Sequence, residues 1–316
     1  MQMNICLASN DCYAPHAAAL IVSIMENKLE TDELVFYFFS DNLSQSFQDT
    51  FEEMGRKWNF SIHFIKMSDE QFKDFPKLLG ALTAYFRLAM PRFLSDSIKK
   101  MLYLDCDMIV MTSLSSLYAT EISDQYGAVV AEAKKVAHLP IGYPYFNSGM
   151  ILFNLEKYRN DNMEEKAIQF GYEHPDWVRY HDQDFLNYIF QGNVVFLPFK
   201  WNMFGRKHLA GLTSIGYDLF PDSLQKMEQA ESDPGIIHFL SKPWALKCTN
   251  PFRNLYWQYA KKTPFYYRVW LRYNMLKLKP LMKSLRQSIV QMRFGRNKTY
   301  FRFLGITVID FSKKTQ

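Results

Sequence analysis

The residues best suited to chemistry in this sequence are Asp105 and Asp107, which are separated only by Cys106. They stand between the apolar stretches MLYL and MIV, so residues 100–110 are predicted to form one buried strand. Carboxylates two positions apart on a strand point to the same face, where they repel each other and are costly to desolvate. A divalent cation resolves this conflict, and oxygen ligands suit Mg²⁺ or Mn²⁺. A solvated turn at a strand end is the alternative.

A second polar cluster begins a predicted helix. It consists of His181, Asp182, Gln183 and Asp184, and the apolar residues that follow have helical spacing. Acidic residues at such a position commonly cap the helix and suit its dipole. Capping needs one carboxylate, whereas this cluster holds more polar groups than a cap uses. The local sequence therefore leaves a cap and a functional site both open.

Three shorter motifs carry further candidate residues. Asn147, in the run FNSG, is either part of a turn into a strand or an amide that contacts ligand hydroxyls. His238 and Lys242 lie four residues apart, where the histidine could be a third metal ligand and the lysine could hold a phosphate. Arg87 lies one helical turn after Thr83, and it either extends along the surface or clamps an anion.

Apolar runs of strand length alternate with stretches of helical spacing through residues 1–260. This alternation predicts an α/β fold with a mostly parallel, doubly wound sheet, which binds ligands beyond the carboxyl ends of its strands. The predicted strands are residues 3–9, 34–40, 61–66, 100–110, 127–131 and 149–153, and the first predicted helices are residues 14–27 and 44–57.

Basic charge is concentrated in the last segment, residues 261–316. This segment contains 14 of the 37 Lys and Arg residues and, in Asp310, one of the 32 acidic residues. The first 260 residues hold 23 basic and 31 acidic residues and are therefore acidic. The terminal segment is expected to attract an anionic partner. Its last stretch, KTYFRFLGITVIDF, predicts a small strand or hairpin.

The cysteines and the start of the chain favour the cytoplasm. The four cysteines lack CxxC spacing, so neither a zinc site nor a disulfide framework is indicated; they are Cys6, Cys12, Cys106 and Cys248. The first residues, MQMNICLASN, lack the basic region of a signal peptide. No apolar run reaches the roughly 18 residues of a membrane-spanning helix. We expect a protein that stays on the cytoplasmic side.

Taken in order, six motifs resemble the family 8 retaining glycosyltransferases, which include glycogenin and the bacterial lipooligosaccharide galactosyl- and glucosyltransferases. The resemblance covers residues 3–260, through NICLASNDCYAPH, TAYFRL, YLDCDMIV, YFNSGMILFNL, HDQDFLN and HFLSKPW. It implies a GT-A fold for residues 1–260, with a Rossmann-like, mostly parallel mixed sheet, and leaves residues 261–316 as a basic C-terminal appendage. It also implies a UDP-sugar donor, dependence on Mn²⁺ and retention of anomeric configuration.

The resemblance assigns the donor nucleotide and the cation to two sets of residues. It implies that the uridine is held by Ala8, Asn10 and Tyr13. It implies that the cation, which bridges the donor phosphates, is bound by Asp105, Asp107 and His238. Two positions depart from the family pattern, since Asn10 stands where an acidic residue is frequent and Cys12 replaces a frequent asparagine.

The remaining candidates are assigned to the diphosphate, the sugar and the reaction. The resemblance implies that Lys242 binds the diphosphate and that Arg87, Asn147 and Asp182 contact the donor sugar or its diphosphate. Gln183 occupies the family position on the far face of the anomeric carbon, so Asp182 and Gln183 are the candidate catalytic residues. Only three residues separate His238 from Lys242, whereas many members have five, so the lysine is expected to reach the phosphate differently.

The function implied is a retaining hexosyltransferase that moves galactose or glucose from a UDP-sugar to a lipopolysaccharide, capsule or other envelope glycan. A sugar-nucleotide hydrolase or nucleotidyltransferase is the first alternative, because such enzymes also pair carboxylates with a metal on an α/β sheet. A nucleic-acid-binding protein, suggested by the basic segment, leaves the paired aspartates and the acidic body unexplained. An inactive sugar-binding protein is disfavoured by the intact candidate metal ligands.

The basic segment also interleaves aromatic and aliphatic residues with its Lys and Arg residues. Aromatic side chains prefer the headgroup region of a membrane, and basic side chains attract anionic lipid. We therefore predict that residues 261–316 hold the enzyme on the inner face of the cell membrane as a peripheral protein, close to lipid-linked acceptors. The alternative is a helix that packs on the catalytic domain and exposes a solvated basic face.

Overall fold

The computed structural model describes residues 1–68, 82–132, 136–204, 223–293, 300–303 and 306–310. Its contacts divide the chain into two compact units. The first is Met1–Pro243 with Thr249–Tyr266, and the second is Trp244–Cys248 with Tyr267–Gln316. The predicted domain boundary after Ala260 stays a prediction.

A seven-stranded mixed sheet forms the centre of the described part of the first unit, with the strand order β3-β2-β1-β4-β7-β6-β8. Strands β3, β2, β1 and β4 are parallel, β7 is antiparallel to β4 and β6, and β8 is parallel to β6. The strands are β1 Gln2–Ala8, β2 Glu33–Ser40, β3 Ser61–Lys66, β4 Lys100–Leu104, β6 Gly127–Ala131, β7 Phe146–Asn154 and β8 Val195–Phe196. A separate antiparallel pair joins β5 (Met108–Val110) to β9 (Ile236–His238).

Helices lie against both faces of this sheet and cover two apolar cores. Alternation along the strands separates the cores, so that Ile5 and Leu7 face one core while Cys6 faces the other. Phe47 and Phe51 of α2 are buried in the first core, as their helical spacing predicts. The helices are α1 Ala14–Asn27, α2 Gln45–Trp58, α3 Leu82–Ala89, α4 Ser115–Tyr118, α5 Leu155–Asn160, α6 Met163–Glu173, α7 Asp182–Phe190, α8 Ser223–Ser232 and α9 Arg253–Ala260. The predicted α/β class with a mostly parallel sheet is confirmed.

The strand predicted over residues 100–110, with its acidic residues inside it, is divided into two strands in the structure. Strand β4 ends at Leu104 and β5 begins at Met108, with a turn between them that contains both aspartates. The turn leaves their carboxylates outside the hydrogen-bonded ladder while their backbones remain paired. Asp105 N donates to Gly149 O at 2.8 Å, and Phe239 N donates to Asp107 O at 2.8 Å.

The second unit contains nearly all of the long helix α10 (Tyr266–Ile289) and three short strands. Strand β11 (Tyr300–Phe303) pairs antiparallel with β10 (Val290–Arg293) and with β12 (Ile306–Asp310). The predicted small hairpin in this stretch is therefore present as β11 and β12. Within the described residues, every helix is too short or too polar to cross a membrane.

Candidate active site

The reversed direction of β7 brings the candidate residues to one edge of the sheet. The carboxyl ends of β1 and β4 meet the beginning of β7 there, because β7 runs antiparallel to β4. A cleft opens at this edge. It is lined by Ala8, Ser9, Asn10, Tyr13, Arg87, Tyr103, Asp105, Cys106 and Asp107. Six of the predicted site residues therefore line one cleft.

Three of the candidate ligands converge beside this cleft. One ligand atom from each of Asp105, Asp107 and His238 lies within 4.8 Å of the others. His238 is the last residue of β9, opposite Met108 of β5, and its Nε2 lies 3.2 Å from Asp107 Oδ1 and 3.8 Å from Asp105 Oδ2. Two carboxylates and an imidazole form a donor set that suits Mn²⁺ or Mg²⁺. The residues present therefore fit the cation that the sequence predicts.

Charge at this cluster keeps Asp107 ionised. Burial opposes its ionisation, but the neighbouring His238 and Lys242 outweigh burial and hold the pKa of Asp107 well below its ordinary range. The Lys242 ammonium contacts Asp107 Oδ2 directly. Burial acts against the charge on Lys242, but Asp107 outweighs it and raises the pKa of the lysine. Lys242 thus carries its charge at the cation cluster, and its contact with a diphosphate stays a prediction.

Arg87 is a buried link between the two acidic parts of the site. Its Nη2 donates to Asp105 Oδ1 at 2.9 Å, and its Nη1 donates to Ser148 O at 2.5 Å. Its guanidinium also lies 4.1 Å from the ring centre of Tyr103. Burial opposes the charge, but Asp105 and Asp182 outweigh burial and raise the pKa of Arg87. A surface role for this arginine is therefore wrong, since it clamps carboxylates inside the protein.

Arg87 and Asp182 also leave two buried polar atoms unsatisfied. Arg87 Nε and Asp182 Oδ2 lie 3.0 Å apart, so their charges attract each other. Neither atom has a hydrogen-bond partner among the described residues, because the N–H does not point along the line that joins them. Burial raises the pKa of Asp182, and the charge of Arg87 only partly offsets this effect. Both atoms are closed to solvent, so this ion pair is internal to the protein.

The polar cluster at the start of α7 divides into a structural part and a site part. Asp184 is fully buried, and its Oδ2 accepts from the N–H groups of Arg179 and Tyr180 at 2.7 Å and 2.6 Å. Its Oδ1 accepts from the Tyr145 hydroxyl at 2.6 Å. Asp184 therefore orders the turn before the helix, while Asp182 contacts Arg87 and Gln183 contacts Asn147. None of these side chains makes a cap bond to the start of the helix, and a catalytic role for Asp182 and Gln183 stays a prediction.

Gln183 is held against the beginning of β7. Its Oε1 accepts from Asn147 Nδ2 at 2.9 Å and from Ser148 N at 3.1 Å, and its Nε2 donates to Glu132 Oε2 at 2.7 Å. One turn further along α7, Asn187 exchanges two hydrogen bonds with the backbone of Phe146 at 2.9 Å each. These bonds fix the helix start against the FNSG motif.

Glu132 and Asn202 were not predicted as site residues from the sequence. Glu132 follows β6, and its N–H donates to Tyr145 O at 2.7 Å, which places it beside Gln183. Asn202 ends the 3₁₀ turn Phe199–Asn202 and bonds to both Asn147 and His238. The position of Glu132 at the carboxyl end of a predicted strand was a usable signal. The WNM sequence around Asn202 gives no such signal, because its partners Asn147 and His238 are distant in sequence.

The three predicted uridine residues all line the cleft. Ala8 ends β1, and its carbonyl accepts a 3.4 Å bond from Cys106 Sγ, which ties the aspartate turn to β1. Asn10 Oδ1 accepts from Cys12 N at 3.0 Å in the turn before α1, and Tyr13 is the N-cap of that helix. Their contact with a nucleotide stays a prediction.

This sheet and cleft define a GT-A glycosyltransferase. A crystal structure of the galactosyltransferase LgtC, in complex with donor and acceptor sugar analogs, superposes with a TM-score of 0.72 at 24% identity, covering 83% of this chain and 96% of that chain. The GT-A fold is thereby confirmed. Residues 4–248 match the sequence model of Glycosyl transferase family 8, so the chain belongs to that family.

Curated relatives are similar to this chain over most of their length. General stress protein A of Bacillus subtilis (strain 168) is 29% identical over 276 residues, which is 83% of this chain and 94% of that protein. Lipopolysaccharide 1,2-glucosyltransferase of Escherichia coli is 26% identical over 272 residues, which is 80% of this chain and 77% of that protein.

Proposed function

We propose that this family 8 enzyme transfers a hexosyl group, galactose or glucose, from a UDP-sugar to a cell-envelope glycan with retention of configuration. The observation that carries the proposal is the adjacency of two features in one cleft. The cation ligands Asp105, Asp107 and His238 would hold Mn²⁺ or Mg²⁺ for the diphosphate. The buried ion pair of Arg87 and Asp182 lies next to them and would contact the donor sugar or its diphosphate.

The hexose and the acceptor class are supported by relatives. One curated relative is named lipopolysaccharide 1,2-glucosyltransferase and another lipopolysaccharide 1,3-galactosyltransferase. Hexoses present several hydroxyls, which suit the polar and charged side chains beside the cation ligands.

Departure of UDP from the sugar builds negative charge on the β-phosphate. A cation held by Asp105, Asp107 and His238 would supply Lewis-acid stabilisation of that charge. Lys242 adds a second positive charge, and it must exchange its contact with Asp107 for the phosphate. Asp182, held at 3.0 Å from Arg87 Nε, offers its carboxylate to an oxocarbenium-like centre.

The hydrogen bonds of Gln183 favour a front-face route. Its carbonyl oxygen already accepts from Asn147 Nδ2 and Ser148 N, and a nucleophilic role would require both bonds to break. An amide is also a weaker nucleophile than the carboxylate of retaining glycosidases. We therefore propose that the leaving phosphate guides the acceptor hydroxyl, while Gln183 shapes the far face of the anomeric carbon.

Residues 261–316 are proposed to dock the enzyme on anionic membrane at the inner face of the cell membrane. Apolar side chains at positions i, i+3, i+4, i+8 and i+11 of α10 are all exposed; they are Tyr267, Trp270, Leu271, Met275 and Leu278. Arg268, Arg272 and Lys277 are exposed at the borders of this stripe. An apolar stripe bordered by basic residues is typical of helices that lie in a membrane surface.

A nucleotide-sugar panel is the experiment that tests the catalytic proposal. Thermal shift with Mn²⁺ and individual nucleotide sugars should show stabilisation by UDP-galactose or UDP-glucose, and UDP release should then depend on added glycan acceptor. Asp107→Asn should abolish transfer without unfolding the enzyme. Full turnover in excess chelator would contradict the cation requirement. UDP release that is indifferent to acceptor would instead support a hydrolase.

A further inference from the structure

A row of buried side chains connects the cation cluster to Glu132. His238 Nδ1 lies 3.0 Å from Asn202 Oδ1, and Asn202 Nδ2 lies 3.0 Å from Asn147 Oδ1. Asn147 Nδ2 lies 2.9 Å from Gln183 Oε1, and Gln183 Nε2 lies 2.7 Å from Glu132 Oε2. The first four side chains are buried, so water cannot substitute for a missing bond at low cost.

Two backbone N–H groups fix the orientation of every amide in this row. The Gly149 N–H, which can only donate, points at Asn147 Oδ1 at 3.0 Å, so that atom must be the oxygen. The Ser148 N–H points at Gln183 Oε1 at 3.1 Å and identifies that oxygen in the same way. Asn147 Oδ1 then requires the NH₂ group of Asn202. A backbone N–H can only donate, so these two groups determine which atom of each amide is the oxygen.

The tautomer of His238 follows from this order. Because Asn202 gives its NH₂ group to Asn147, it presents its carbonyl oxygen to His238 Nδ1. His238 must therefore carry a proton on Nδ1. Its Nε2, which lies 3.2 Å from Asp107 Oδ1, faces the two aspartates and is the nitrogen available to a cation. A metal ligand histidine needs its other nitrogen protonated and held by an acceptor.

We propose that Asn202 is a positioning residue that holds His238 in its ligating tautomer, and that Glu132 anchors the far end of the same row. The inference rests on the cation site of the proposed function. Each side chain in the row donates toward Glu132, so the carboxylate is the acceptor at which the row ends. Asn202 contacts neither the cation position nor the sugar side, and it acts through His238 and Asn147.

Two substitutions of Asn202 separate its two bonds. Asn202→Ala removes the acceptor for His238 and should weaken Mn²⁺ binding by about 10- to 100-fold, the effect usual for a residue that supports a metal ligand. Asn202→Asp keeps an acceptor for His238 Nδ1 but places an oxygen against Asn147 Oδ1. This variant should bind Mn²⁺ as the wild type does and should lose turnover, because Asn147 and Gln183 lose their fixed orientation. Mn²⁺ binding is measured by electron paramagnetic resonance of the free ion, without donor.

The tautomer itself provides a readout that needs no cation. In ¹⁵N-histidine-labelled enzyme, long-range ¹⁵N–¹H correlation should show His238 protonated on Nδ1 in the wild type and in Asn202→Asp. Asn202→Ala should lose this signature. The His238→Gln variant assigns the resonance. Asn154→Ala is the matched control, since Asn154 is also a buried asparagine and donates to the Ile122 and Ser123 carbonyls.

The outcomes distinguish this inference from the proposed function. Unchanged tautomer and unchanged Mn²⁺ affinity in folded Asn202→Ala would overturn the role of Asn202. Equal losses of Mn²⁺ affinity in Asn154→Ala would overturn it too, because the effect would then be one of general stability. If the wild type binds no Mn²⁺, the proposed cation fails, whereas the tautomer comparison still decides whether Asn202 positions His238.

Discussion

Gly149 and His238 are so close that a side chain on the glycine would collide with the imidazole. A Cβ atom at position 149 would lie 2.6 Å from His238 Cε1, 2.7 Å from Asp105 Oδ2 and 2.9 Å from Asn147 Oδ1. The glycine of the FNSG motif is therefore required for close approach of the β7 backbone to the cation ligands. The Gly149 backbone also makes hydrogen bonds to two of these residues. Its N–H donates to Asn147 Oδ1, and its carbonyl accepts from Asp105 N.

The first prediction concerns this contact. Gly149→Ala should lower both Mn²⁺ affinity and turnover by at least about tenfold, equivalent to ~1.4 kcal/mol, because the added methyl group displaces cation ligands. Gly142→Ala is the matched control, since a Cβ at Gly142 meets no atom within 4 Å. Mn²⁺ titration and initial rates check both variants. Wild-type Mn²⁺ affinity in Gly149→Ala would show that the ligands move aside freely.

The second prediction separates the two acids at the start of α7. Asp182→Asn should reduce turnover by at least about tenfold while the thermal stability stays near that of the wild type. Asp184→Asn should instead lower the free energy of unfolding by about 1–3 kcal/mol, because a buried acceptor of several hydrogen bonds is lost. Rates and urea unfolding of the same samples check this. The reverse pattern would exchange the roles of the two residues.

The third prediction concerns pH and a site far from the cleft. Burial acts to raise the pKa of Asp32, but hydrogen bonds from Ser115 Oγ at 2.5 Å and Leu29 N at 3.2 Å outweigh it and lower the pKa. A lowered folded-state pKa stabilises the protein above the unfolded value near ~3.9, and this stability is lost as pH falls through the folded value. Asp32→Asn should therefore be about 1–3 kcal/mol less stable than wild type at pH 7.

The stability gap between wild type and Asp32→Asn should narrow as the pH falls below ~4. Urea unfolding at neutral and acidic pH measures the gap. Ser115→Ala removes one of the donors and should give an intermediate result. A gap that stays constant down to acid pH would show that the carboxylate charge of Asp32 does not contribute to the free energy of unfolding.

The fourth prediction tests membrane docking by α10. Replacement of Arg268, Arg272 and Lys277 with glutamine should reduce co-sedimentation with anionic liposomes, since each basic residue at the surface contributes about 1 kcal/mol. Binding of the wild type should also weaken with salt. Neutral liposomes should retain little of either protein. Turnover on a soluble acceptor should be unaffected, because the substitutions lie outside the cleft.

Matched controls for the liposome experiment come from the first unit. Arg56→Gln with Lys57→Gln removes exposed basic charge at the end of α2 and should leave liposome binding intact. A chain ending at Ala260 should lose binding as the helix variant does. Equal binding of the full and shortened chains, or binding that is indifferent to salt, would mean that residues 261–316 are not an electrostatic anchor.

The sequence predicted the sheet well because its strands are nearly continuous apolar runs. It failed at Asp105–Asp107 because MLYL and MIV have the same local composition, although β4 belongs to the main sheet and β5 pairs with β9. The local sequence could not distinguish the roles of Asp182 and Asp184 at the start of α7. Both are aspartates in the same motif, and they differ only in the residues that they contact in the fold. Thr83, which was paired with Arg87, has a side chain outside the described residues.

Contacts between distant residues were the part that local patterns could not predict. Asn202 reaches His238 across 36 residues and Asn147 across 55 residues, and Glu132 reaches Gln183 across 51 residues. Each of these side chains is an ordinary polar residue in its local context. Their roles emerge only when the reversed strand β7 brings the partners together.

The one-way row of side-chain amides has an electrical consequence. Asn202, Asn147 and Gln183 all direct their carbonyl oxygens toward His238 and their NH₂ groups toward Glu132, so their dipoles add as peptide dipoles do along a helix. The negative end of this small macrodipole faces the cation position, and its positive end faces the Glu132 carboxylate. A cation beside the aspartates therefore stabilises the Glu132 carboxylate through the polarised row. The charged Glu132 carboxylate stabilises the cation by the same free energy.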